Sequence, residues 1–173
     1  MKKISIILPA IALSAILLAG CGKNGEPAHL TVKMTDAPAD YLGVNVDVLS
    51  VEIKHEDAWI VLPVNAGIYD LLDLQNNVTA VLAQNVEIPP GNINQVRLIL
   101  GSQNSIETIG GVFPLATPSG QQTGLKMNLN TWIEPGKEVV IVIDFDAAKS
   151  VVEEGNGSFS LKPHLEIKTV TQF

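Results

Sequence analysis

From Ala28 onward the apolar positions recur with a period of two rather than 3.6, the mark of strands that bury one face. Leu30, Val32 and Met34 alternate with Thr31, Lys33 and Thr35. Val44, Val46 and Val48 alternate with Asn45 and Asp47, and Val51 and Ile53 then continue in the opposite phase. One extra residue reverses the faces of a strand, so the change at Leu49-Ser50 predicts a β-bulge. The polar turn His55-Glu56-Asp57 followed by the apolar run Trp59 to Leu62 reads as a hairpin, with Trp59 in the core. Ile68 to Leu74 is ambiguous between strand and helical turn, and Thr79 to Ala83 reads as a short turn of helix. Pro89-Pro90-Gly91 is a turn signal ahead of the alternating segment Gln95 to Leu100.

Further strands are predicted over 105–109, 111–115, 124–129 and 138–145. Val139 to Ile143 is apolar on both faces, which places it centrally in a sheet. Ala147 to Val152 reads as one or two helical turns, and Glu154-Gly155-Asn156-Gly157 as a hairpin turn. Ser158 to Leu161 and His164 to Val170 close the chain. The pattern predicts eight to ten short strands, no long amphipathic helix and an all-β, two-sheet β-sandwich over 28–173. A closed barrel is the alternative architecture.

Composition narrows the class. The 173 residues are 46% hydrophobic and 17% charged, too apolar for a disordered chain. The net charge of −7 argues against a nucleic-acid partner, because a phosphate backbone demands a basic face. One cysteine excludes an intramolecular disulfide and a multi-cysteine zinc site.

The first segment reads as an address. Met1-Lys2-Lys3 is basic, Ile4 to Leu18 is apolar and interrupted by Pro9, and Leu18-Ala19-Gly20-Cys21 follows. The run is short for a transmembrane span of ~20 residues and fits a secretory signal. Its last four residues resemble a bacterial lipobox. That resemblance implies a lipoprotein signal peptide over 1–20, cleavage before Cys21, and diacylglycerol on the Cys21 thiol, which is a strong nucleophile as its thiolate. Residues 21–27 then form a tether, and the partner is a membrane reached through the lipid on Cys21. Losing Lys2 and Lys3 takes the basic residues from 11 to 9 against 18 acids, a net charge of −9. Such a domain is expected to stand off an anionic bilayer. No Asp follows Cys21, which under the usual sorting rule implies the outer membrane in a Gram-negative cell and the cell envelope in any case.

Several stretches together resemble the family catalogued as domain of unknown function 4382. They are Leu30 to Tyr41, Val44 to Ile53, Tyr69 to Asn76, the Pro-Pro-Gly turn with Gln95 to Leu98, Pro114 to Lys126, Asp144 to Ala147, and Leu161-Lys162-Pro163. Asn77 departs from the pattern, standing where a turn glycine is expected. The resemblance implies a secreted or lipid-anchored prokaryotic protein with a transthyretin-like (prealbumin-like) sandwich, and it carries no catalytic role.

Candidate chemistry is sparse. Asp144 and Asp146 lie two apart and share a face if both are in a strand. They are the candidate metal ligands, with calcium the cation that acidic loops suit. Against that, acids at strand ends commonly cap backbone N–H groups or face solvent. Asp36 and Asp40 flank the turn Ala37-Pro38-Ala39 and are candidate ligand-binding residues, as is Trp132, since a sugar ring stacks on a flat aromatic. Gln121 and Gln122 are expected to hydrogen-bond a loop backbone. There is no G-x-S-x-G, no P-loop, and His29, His55 and His164 are far apart in sequence. The expectation is a non-catalytic envelope lipoprotein without a required cofactor, a binding module for a protein or another envelope component. The alternative is a carbohydrate-binding or adhesion module, its partner a polysaccharide, assisted by calcium. Replacing Cys21 by Ser is expected to abolish incorporation of labelled palmitate, and label retained by that variant would refute the anchor assignment.

Overall fold

A computed structural model of the chain describes residues 25–117, 121 and 123–173. The segment 1–20 expected as a signal peptide, Cys21 and Gln122 lie outside the described residues. The described residues form thirteen strands, one turn of 3-10 helix and one turn of α-helix. They make two sheets facing one apolar core, without barrel closure.

The four-stranded sheet has the order β13-β10-β1-β5. Its strands are β1 (Ala28–Thr35), β5 (Ala80–Ile88), β10 (Glu138–Phe145) and β13 (Leu165–Gln172). β1 and β10 run parallel, and the other pairs are antiparallel. β10 is central, as its doubly apolar sequence predicts: Val139, Ile141, Ile143 and Phe145 are fully buried, while Val140 and Val142 are half-buried on the outer face. Thr79 to Ala83, expected as a helical turn, contributes instead to β5. Pairing with β1 satisfies its backbone and buries Leu82 and Ala83, and that tertiary gain overrides a weak local preference.

The second sheet is organised by β2 (Gly43–His55). One edge of β2 pairs first with β4 (Gly67–Asp70) and then with β3 (Ala58–Leu62). Its other edge pairs with β7 (Ser105–Thr108) and then with β6 (Gly91–Leu100). β8 (Gly111–Ala116) continues outward from β7, and β9 (Leu125–Ile133) from β6. β12 (Phe159–Leu161) and β11 (Val151–Glu153) complete the β8 side. Each neighbour is thus one long strand broken once; the strands outnumber the eight to ten expected because β4, β5 and β11 form where the sequence left strand and helical turn open or favoured a helical turn.

The breaks share one cause. Val44, Val46 and Val48 are buried on one phase of β2, Val51 and Ile53 on the other, and Leu49 is exposed between them. The register against β6 shifts between Val48 and Ser50, which is the predicted bulge. The neighbouring chain must leave the ladder there, and it does so at Gly101 to Asn104. Asp47 fastens this excursion. Its carbonyl accepts from Gly101 N (2.7 Å), its carboxylate Oδ2 from Gln103 N (3.1 Å), and its N–H donates to Asn104 Oδ1 (2.8 Å). Asn104 Nδ2 donates in turn to Gly101 O (2.8 Å), which also accepts from Gln121 Nε2 (3.1 Å). The role expected of Gln121 is therefore its observed one.

Local chemistry explains several other turns. Ile68 to Leu74 is both things its sequence allows, a strand to Asp70 and then a 3-10 turn over Leu71–Leu74. Asn77 takes φ 66°, a left-handed conformation that Asn tolerates next after glycine, so the departure from the family pattern leaves the turn intact. Asn85 and Asn130 take φ 51° at register irregularities of β5 and β9. Trp59 is not in the core. It lies opposite Lys54 on the outer face, with the Arg97 guanidinium 4.1 Å above its ring and Arg97 paired to Glu52.

A Cβ on Gly101 would lie 2.0 Å from Asp47 Oδ2. Gly101→Ala is therefore expected to destabilise the fold by about 2–4 kcal/mol in urea unfolding, as overpacking plus disruption of a buried polar network. A loss near zero would mean that the excursion is not held by Asp47.

Candidate functional site

The strand directions give the molecule two distinct ends. β1 and β10 start, and β9 ends, where the chain enters: Gly136 N donates to Glu26 O (3.1 Å) and His29 N to Lys137 O (2.8 Å). β6 starts beside the end of β9, and β2 ends there, since Gly91 pairs with Ile133 and His55 with Ile93. β2 therefore begins, and β7 ends, at the opposite end. Thirteen residues of strand separate the two by about 40 Å.

The sequence candidates divide between these ends. Trp132 is at the entry end, on the outer face of β9 and 60% exposed. Asp36, Asp40, Asp144 and Asp146 are at the far end, so the structure does not bring Trp132 together with Asp36 and Asp40.

Asp36 continues the inward phase of Leu30, Val32 and Met34 and is only 2% exposed. Rather than closing a local turn, its carboxylate Oδ1 accepts from Ala147 N (2.9 Å), joining segments 111 residues apart. Its own N–H donates to Leu74 O (3.0 Å), and its Oδ2 has no hydrogen-bond partner. Burial raises its pKa to about 6, against the partly opposing effect of the Ala147 N–H and with a smaller upward contribution from Asp144.

Asp144 and Asp146 do not share a strand face, because β10 ends at Phe145. Asp144 faces outward on β10, its Oδ2 3.3 Å from Lys168 Nζ and its Oδ1 buried without a partner. Asp146 lies beyond the strand as N-cap of α1 (Ala147–Ser150), accepting from Lys149 N (3.0 Å) and pairing with Lys149 Nζ (2.7 Å). Burial works to raise its pKa, but these Lys149 contacts outweigh it and hold the carboxyl below the usual range. Among the described residues no three His, Cys, Asp or Glu converge on a metal position.

Asp40 is exposed and borders a cleft of about 290 Å³ with Tyr41, Leu42, Thr108 and Ile109. Above it stands the β7–β8 hairpin. Ile109 at its tip is 99% exposed, with Val112 at 67% and Leu42 at 59%. The tip is held in shape, because Gly110 N donates to Thr108 Oγ1 (3.1 Å) and Leu42 N to Glu107 O (3.1 Å). Sequence reasoning passed over this cluster. The signal was an isoleucine directly before Gly110-Gly111, an apolar residue at a turn where polar ones are usual. A separate cleft of about 620 Å³ lies between Ala116, Leu125, Glu154 and Leu161.

A family profile described as Domain of unknown function (DUF4382) matches residues 27–163. No curated protein and no solved structure matches the chain.

The raised pKa of Asp36 has a definite sign. The folded state holds this proton more tightly than the unfolded chain, so the contribution is most favourable below the unfolded value of 3.8. It is lost as pH rises to about 6. Linkage sets the loss at about 3 kcal/mol. Asp36→Asn is expected to melt higher than wild type at pH 7.5, with the difference shrinking toward pH 4. An equal difference at both values would show that Asp36 is not the group responsible.

Proposed function

The chain belongs to the family described as domain of unknown function DUF4382, and from that premise we propose that it is a non-catalytic binding module of the cell envelope. It is anchored through lipid on Cys21 and presents its far end to a protein partner. The observation that carries this reading is the placement of the exposed apolar tip, Leu42, Ile109 and Val112, at the end opposite the tether.

Three aliphatic side chains held in water at a shaped tip are a poor arrangement for a monomer and a good one for an interface centre. Fully burying a side chain of this kind contributes about 1.5–3 kcal/mol, so the three together supply the core of a modest protein contact. The tip is aliphatic and the Tyr41 ring in the cleft beneath it is half-buried, which favours a protein groove over a sugar face. Asp40 and Glu107 border it, so the groove that fits has an apolar floor and a basic rim. The non-catalytic reading draws on the acids: Asp36, Asp47, Asp70 and Asp146 each accept from backbone N–H groups.

The test is crosslinking of the lipidated protein in its native envelope, followed by mass spectrometry of what is captured. Wild type is expected to yield one dominant basic-rimmed protein partner. The Leu42→Asp, Ile109→Asp pair is expected to lose it while unfolding within about 0.5 kcal/mol of wild type, since both positions are exposed. Capture of polysaccharide alone, or a partner retained by the double variant, would sink this reading.

A further inference from the structure

The entry end has a surface of its own, and its two tryptophans have different surroundings. Trp59 is covered by Arg97. Trp132 has no such cover, and its backbone is pinned on both sides. It pairs in register with Asn92, its carbonyl accepts from Gln172 Nε2 (2.9 Å), and Glu134 N donates to Gln172 Oε1 (3.1 Å). The ring is therefore held outward at the last position but one of its strand. Phe173, next to Gln172, is also well exposed.

The tether brings this end close to any lipid on Cys21. The chain is docked by Gly25, where an added Cβ would lie 3.1 Å from Pro135, and by Glu26, whose carbonyl accepts from Gly136 N. Only four residue steps separate Cys21 from Gly25, which span at most about 14 Å. An indole ring with an apolar body and an N–H donor suits the boundary between headgroups and acyl chains. The charges around it select the kind of headgroup. Glu26, Glu56, Asp57, Glu87, Glu134 and Glu138 stand at this end against Lys54 and Lys137, so an anionic surface repels it and a neutral one does not.

We infer that Trp132 seats the entry end of the sandwich on the headgroup region of a bilayer of zwitterionic lipid, so that the domain stands end-on with the Ile109 tip outward. This rests on the lipid-anchor reading above.

The experiment uses the full lipidated chain carrying Trp59→Phe, which keeps a ring beneath Arg97, reconstituted into phosphatidylcholine vesicles. Part of the lipid is brominated near the top of the acyl chains. Trp132 emission is expected to shift to the blue and to lose roughly half its intensity to the brominated lipid. The loss is expected to fall when phosphatidylglycerol replaces phosphatidylcholine. Wild type compared with Trp132→Phe assigns the same signal without altering Trp59. Cys21 carrying lipid by mass with emission unquenched would overturn the seating and leave the anchor standing. Cys21 without lipid would overturn both. Quenching indifferent to phosphatidylglycerol would overturn the choice of a neutral surface. A spectral shift produced by envelope polysaccharide without vesicles would reassign the ring to glycan binding and overturn the proposal.

Discussion

The second sheet depends on one strand that changes its buried face midway. β2 keeps Val44, Val46 and Val48 inside, then admits one extra residue and keeps Val51 and Ile53 inside instead. A strand that reverses phase bends, and its partners cannot follow without leaving the ladder. The chain leaves at Gly101, and the backbone groups released there need partners because the site is buried. Asp47 and Asn104 supply them, with Asn104 also reaching Thr117. The space beside Asp47 admits no side chain, so glycine is the residue that lets the two segments meet. On the other edge, β3 and β4 meet the same reversal by parting between Leu62 and Gly67.

The same economy governs the acids. In a strongly acidic chain, several carboxylates are used as acceptors for backbone N–H groups at strand ends and caps. Asp70 serves two, Val44 N and Leu72 N, where β4 turns into the 3-10 helix. Asp146 starts the α-helical turn α1. Asp36 ties the end of β1 to the same turn, yet leaves one oxygen buried and unpartnered. Its raised proton affinity is the consequence of that position, since burial penalises the charged form more than the neighbouring hydrogen-bond donors, Ala147 N–H first, favour it.

Together these devices make a sandwich with unlike ends. The entry end carries Trp132 and a ring of glutamates, and the far end carries an aliphatic tip over a small cleft. The anchored binding module proposed above would use this division, because a surface offered to a partner would have to clear the membrane. β2, about 40 Å long, provides the clearance.

Much of this was legible in the residues. Period-two alternation identified the all-β class, doubly apolar Val139 to Ile143 a central strand, and the phase change at Leu49-Ser50 a bulge. These are local signals, because the side-chain period of a strand is a property of its own backbone. What the sequence could not decide was which side chains the other elements cover. Trp59 lies in an apolar run yet faces Arg97 on the outside, because register with Lys54 and Glu52 assigns its face. Ala80 to Ala83, expected as part of a helical turn, became strand because β1 offered it a partner. Asp144 and Asp146, two apart, parted company because the strand ends between them. Asp36 looks like a turn residue until Ala147, 111 positions away, is folded against it. The sequence by itself determined class, phase and punctuation, each set by neighbours along the chain. The tertiary structure decided burial, partners and the two ends, each set by residues distant in sequence that only folding brings together.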